Sequence, residues 1–174
     1  MQAVSLKPEG KEIIMGEDDL IVSKTNAKGW ITYCNDTCVK YAEFELNELI
    51  GSPHSIVRSK AMPRCVFKLL WERVSQGHEI FAYVVNKTKT GNHYWVLAHV
   101  TPSLDDDKNI IGYHSNRRKP EDAPLKVIRA LYEILLAEEN KYPTRKEGLA
   151  ASSALLTSLL TEKGVDYDEF ILTL

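Results

Sequence analysis

Asn86 is the residue that its own surroundings do not predict. The stretch "VVNKTKTGNHYWVLAHVTP", Val84 to Pro102, reads as two strands of β-branched and aromatic residues joined at Thr90-Gly91-Asn92, where glycine supplies the positive φ of a tight hairpin. Alternation puts Ile80, Ala82, Val84 and Asn86 on one face of the first strand, so an amide stands where a fourth hydrophobe belongs. A buried amide without a partner costs on the order of 1 to 3 kcal/mol. Asn86 is therefore expected to face a ligand, with a bond to the backbone at the strand end as the plainer alternative.

Other reactive side chains form no recognisable machinery. Cys34, Cys38 and Cys65 lie among apolar residues without a CxxC pair, the pattern of reduced, buried thiols, and too few further ligands share their spacing for a zinc site. The chain has no nucleophile elbow, HExxH, P-loop, GxGxxG or paired acid and base, so no enzyme is expected.

The elements that would position Asn86 can be read in order. "DLIVSKTN" and "WITYCN" flank "AKG" as a hairpin, and "DTCVKYAEF" and "LNELIG" are short helical pieces. "MPRCVFKLLWERVSQG" spaces Met62, Val66, Leu69, Leu70 and Val74 as an amphipathic helix, with Pro63 in the first turn and Gly77 past the end. Strands follow at 79–88, 93–104 and 110–118. Five strands with helices gathered in the middle describe an α+β domain, an antiparallel sheet covered on one side by the helical crossover. The expected division is a leader over 1–18, the domain over 19–120 and a helical extension over 121–174. In that extension 123–139 is one helix, "TRKE" at 144–147 is a capping box opening a second that closes at Gly164, and "DYDEFILTL" stays unassigned.

Both faces of the central strands are apolar. Phe81, Tyr83 and Val85 oppose the face of Asn86, and His93, Trp95, Leu97 and His99 oppose Tyr94, Val96, Ala98 and Val100. A half-solvated sheet would alternate apolar and polar, so a second cover is required: the terminal helices, a second copy or a partner protein.

Composition bounds the reading. With 174 residues, 44% hydrophobic and 26% charged, the chain suits one globular domain with an appendage. A net charge of -2 disfavours nucleic acid. The basic runs "VRSKAMPR" and "SNRRKP" are read as solvated edges. No signal-peptide pattern opens the chain, and the longest nearly apolar run, "LAASSALLTSLL", is short of the ~20 residues that span a bilayer. A soluble, cytoplasmic protein without direct membrane insertion is expected.

The order of elements, with "ITYCNDTCVKYAEFELNELIGSPHSIVR", "MPRCVFKLLW", "NKTKTGNHYWVLAHVTP" and "GYHSNRR", resembles PAS sensor domains, and among them the flavin-binding PAS modules of bacterial aerotaxis and energy-taxis receptors. The likeness runs from about Leu20 to Tyr132 and is similar to the stand-alone PAS subunits of bipartite energy-taxis systems. It implies a PAS fold, bound FAD, and four cofactor-binding residues. Arg58 would pair with a phosphate and Trp71 would wall off the ring system, while Asn35 and Asn86 would bond ring edges or ribose. Where the family reads "RHPDMP" this chain reads "RSKAMP", with Ser59 and Ala61 in place of His and Asp; Lys60 would supply a compensating charge.

The resemblance thus implies a redox or oxygen sensor that reports to a chemoreceptor-type protein or a histidine-kinase pathway component, with a homodimer formed through Phe81, Tyr83, Trp95 and Leu97 as a further expectation. The alternatives are a cofactor-free interaction module and a haem protein, which needs an axial histidine from His54, His93, His99 or His114 because the central helix has none.

Overall fold

A computed structural model describes residues 7–174, so the first six residues of the expected leader lie outside the described residues. The first hairpin is β1 (Ile21–Asn26) and β2 (Ile31–Cys34), followed by α1 (Asp36–Ala42), α2 (Leu46–Leu49), a 3-10 helix (His54–Val57) and α3 (Arg64–Ser75). Then come β3 (Ile80–Lys87), β4 (His93–Leu104) and β5 (Ile110–Arg118), and the chain continues as α4 (Asp122–Glu139), α5 (Arg145–Lys163) and α6 (Tyr167–Leu172).

The five strands form one antiparallel sheet in the order β2-β1-β5-β4-β3. The tight turn of "KTGN" sets the β3–β4 register, which places Val84 opposite Val96 and Asn86 opposite Tyr94. Helices α1 to α3 lie over the inner face, as the sequence pattern requires. The leader does not hang free over its described part: Glu12 bridges to His93 in parallel, and Ile13 N donates to the His93 carbonyl at 2.7 Å.

The second cover is the chain's own tail. On the outer face Tyr132 of α4 donates its hydroxyl to the carbonyl of Tyr83, its ring lies 5.9 Å from that of Trp95, and Arg129 sits over the Trp95 indole. Helix α5 returns against α3, and α6 meets β3. Helix α6 and the Tyr132 hydroxyl thereby engage the edge strand β3, whose unpaired backbone would otherwise template another strand. Gly148 permits the α4–α5 approach, because a Cβ there would come within 2.4 Å of the Glu139 carbonyl oxygen. The dimer surface expected from sequence is accordingly corrected: Tyr83 and Trp95 are buried beneath α4, and only Phe81 and Leu97 remain half-buried.

Two local details also differ. The unassigned "DYDEFILTL" forms α6, capped by Asp166 accepting from Glu169 N at 2.8 Å. At α5 the Thr144 hydroxyl accepts from Glu147 N, but the Glu147 carboxylate takes the Thr144 hydroxyl at 2.7 Å instead of the backbone amide. The box is thus half formed, and Gly164 ends the helix at φ 71° as anticipated.

Candidate functional site

Between the inner face of the sheet and the segment from Lys28 to Trp71 lies a cavity of about 290 Å³, near the lower bound of small-molecule sites. Asn86, Arg58 and Trp71 all line it. Its floor comes from alternate residues of four strands, with Ser23 and Thr25 on β1, Val84 and Asn86 on β3, Ala98 and Val100 on β4, and Tyr113, Ser115 and Arg117 on β5.

Asn86 is 2% exposed, and its Nδ2 has no hydrogen-bond partner. The hydroxyl of Tyr94, the residue directly opposite, is buried beside it. The plainer expectation, a backbone bond satisfying the amide donor, is therefore not met, and an unsatisfied donor on a residue that lines the cavity is what a polar ligand would complete.

Arg58 follows the 3-10 helix and is held by an isolated antiparallel bridge to Asn86. Its guanidinium lies 3.9 Å from the Phe67 ring centroid, which occupies the flat face and leaves the N–H edge for an anion. Trp71, 40% exposed, stands edge-on to Tyr113 at 5.3 Å at the mouth. Gly29, at φ 79°, lets the β1–β2 turn press against it, since a Cβ there would meet the indole at 3.1 Å.

Asn35 does not join them. Its side-chain oxygen accepts from Cys38 N at 2.9 Å and Val22 N at 3.0 Å, and its amide donates to the Leu20 carbonyl at 2.8 Å. It caps α1 and ties that helix to β1, a structural duty that corrects the ligand role expected from the resemblance.

The sequence reading missed Arg117. It is 3% exposed, lines the cavity, and donates to the Ser23 hydroxyl, while its Nε is unpartnered. No carboxylate lines this cavity. Burying a guanidinium without a carboxylate costs several kcal/mol, so the site favours a ligand that carries or acquires negative charge. The nearby Cys38 thiol is drawn down by its hydrogen bond with Cys34, 3.1 Å away, and then by the Arg117 charge, against burial. The reading of "SNRRKP" as a solvated edge is thus corrected at Arg117 and holds for exposed Arg118. "VRSKAMPR" is corrected in the same way, with Arg58 half-buried and Ser59 buried. The available signal was alternation: Tyr113, Ser115 and Arg117 share the inner face of β5.

His54 is the histidine that borders the cavity. Its Nε2 lies 3.4 Å from Ser23 Oγ, the oxygen that accepts from Arg117. Burial, and then the Arg117 charge, push its pKa down to about 3, so it is neutral and can accept from Ser23. The other haem candidates are placed elsewhere: His93 meets the Glu9 carbonyl, His99 stacks on Phe81, and His114 lies between the inward residues of β5.

A sheet of this order, with a helical crossover closing a cavity over its inner face, is the architecture of a PAS-type sensor domain. The chain belongs to the PAS fold family, whose model matches residues 9–115. It is 35% identical over 123 residues to the aerotaxis receptor of Escherichia coli (strain K12), covering 71% of this chain and 24% of that protein. It is 24% identical over 97 residues to the nitrogen fixation regulatory protein of Klebsiella pneumoniae, covering 56% of this chain and 20% of that one. The chain therefore spans about a quarter of the length of these curated relatives or less. Among solved structures, the dark structure of the blue-light photoreceptor Aureochrome1 LOV superposes with a TM-score of 0.57 at 19% identity, over 66% of this chain and 85% of that one. That likeness supports the fold alone. No helix among the described residues is long and apolar enough to cross a membrane.

Proposed function

We propose that this chain is a cytoplasmic redox or oxygen sensor that binds FAD through the inner cavity and reports the redox state to a chemoreceptor-type partner. One observation carries the reading: a single cavity without carboxylates presents a buried, unpartnered amide at Asn86 and a buried guanidinium at Arg117. A flavin ring suits both, since it offers acceptors to the amide and accepts electrons, gaining negative charge that the guanidinium would stabilise. The similarity to an aerotaxis receptor agrees with this reading.

The route outward is short. Asn86 and Tyr83 lie on β3, and the Tyr83 carbonyl holds Tyr132 of α4. A change in the bonding of Asn86 would move β3 under that contact, and the helices above it would present the change to the partner. Phe81 and Leu97, half-buried on the same face, are where a partner or a second copy would extend the contact.

Absorption spectroscopy of the purified protein tests the assignment. Flavin bands in the blue and near ultraviolet support it, with the released cofactor identified by chromatography. A strong Soret band replaces it by haem, for which His54 is the cavity's histidine, and a colourless protein that takes up no added flavin leaves a cofactor-free interaction module.

A further inference from the structure

A second cavity, of about 730 Å³, opens beside the first, between the 3-10 helix and the turn joining α4 to α5. Ser55 and Arg58 line both cavities and so form the threshold between them. Arg58, Lys60, Arg64 and Arg145 bring four cations to the second one, against a single carboxylate, Glu139.

That carboxylate is already committed. Glu139 is 3% exposed and accepts from Arg64 N and Nε at 2.8 Å, from Cys65 N at 3.2 Å and from Ser152 Oγ at 3.0 Å. Arg64 is thereby neutralised, whereas Arg58, Lys60 and Arg145 have no ion-pair partner among the described residues. Burial lowers the pKa of Arg58 against the attraction of Glu139, and the charges of Arg64 and Arg145 add repulsion. An anion placed between them would relieve that repulsion. Arg145 also opens α5, a helix of 19 residues whose N-terminus adds a favourable partial charge.

We infer that the second cavity takes the diphosphate and adenosine half of a dinucleotide whose ring occupies the first, so that the C-terminal extension contributes directly to ligand binding. This rests on the flavin reading. Continuity argues for one elongated ligand: a chain leaving the first cavity over Ser55 and Arg58 enters the second among three unpaired cations. Arg58 lines this cavity as well and is already stacked on Phe67, and its planar fork suits phosphate oxygens. The cavity also has Tyr142, 39% exposed, to offer a flat surface to a purine.

Titration of the full chain with FAD, riboflavin and ADP separates the two readings. Arg145→Glu should lower FAD affinity about tenfold or more, the scale of one lost charge-assisted contact, and leave riboflavin unchanged. Arg145→Lys should restore most of the loss. The acidic variant should remain folded, because a carboxylate is favourable in the first turn of a helix, and thermal unfolding checks this. FAD affinity unchanged in Arg145→Glu, or FAD and riboflavin weakened equally, overturns the assignment. Should the native chain bind neither FAD nor riboflavin, the flavin reading fails, and ADP alone decides the second cavity. Binding that Arg145→Glu weakens sustains a nucleotide site, and its lack overturns it.

Discussion

Arg58 and Asn86 are joined by a short antiparallel bridge, so the residue that guards the passage between the two cavities is fastened by its backbone to the strand residue with the open amide. Two residues 28 positions apart in sequence thus act on one cavity wall. Displacement of either is transmitted to the other without intervening side chains.

Replacing Arg58 by Ala should leave a folded protein with less bound flavin. The lost stacking on Phe67 costs about 0.5 to 1 kcal/mol of stability, too little to unfold a domain of this size. Flavin content per protein, measured from the absorption ratio after gel filtration, checks it. Undiminished occupancy removes Arg58 from the site.

Replacing Asn86 by Leu should alter the reduction potential of the bound cofactor more than the stability of the ligand-free fold. The native amide leaves its Nδ2 unsatisfied, so an apolar residue of similar size forfeits little in the empty protein. Spectroelectrochemistry paired with urea unfolding makes the comparison. A large loss of stability at constant potential would assign Asn86 to the fold.

Replacing Arg117 by Met should have opposite effects on fold and redox chemistry. Removing a buried cation that lacks a carboxylate is neutral or stabilising for the empty chain. The same change should shift the reduction potential tens of millivolts downward, because the charge that favours the reduced ring is gone. A potential unmoved by the substitution would leave Arg117 a purely structural cation.

Acidification should weaken the fold through His54. Its folded pKa of about 3 lies below its ordinary 6.5, so only the unfolded chain binds this proton between those values. The contribution is fully present above pH 6.5 and is lost as pH falls toward 3. Urea midpoints between pH 7.5 and 5 should decline in the native protein, with a shallower decline in His54→Gln. Parallel slopes would assign the acid sensitivity to other groups.

The outer contact gives a fifth expectation. Tyr132→Phe removes the hydrogen bond to the Tyr83 carbonyl and should cost about 1 kcal/mol. Trp95→Glu places a charge beneath α4 and should cost roughly 3 kcal/mol or more. Thermal unfolding reads both, and an unchanged midpoint in Trp95→Glu would show that α4 is not docked there in solution.

Much of the architecture was legible because its signals are local. Alternation from Ile80 to Asn86 shows which side chains share a face, Gly91 and Gly164 mark a turn and a helix end, and Asn86 stands out as polar among hydrophobes. Asn35 shows where this runs out. A residue at a strand–helix junction can bond a ligand or cap the helix, and the resemblance favoured the first, whereas the backbone donors of Val22 and Cys38 occupy its oxygen.

By itself the sequence determined the five-strand order in the chain, the helical crossover, the inward placement of Asn86 and the need for a second cover on the sheet, because each follows from periodicity within a few residues. Only the tertiary structure decided that α4 is that cover, that Arg117 lies beside Ser23 and His54, and that Arg145 faces Arg58 across a cavity. Strand pairing and helix return bring together residues dozens of positions apart, and whether a charged side chain meets water, a carboxylate or an empty space depends on that juxtaposition.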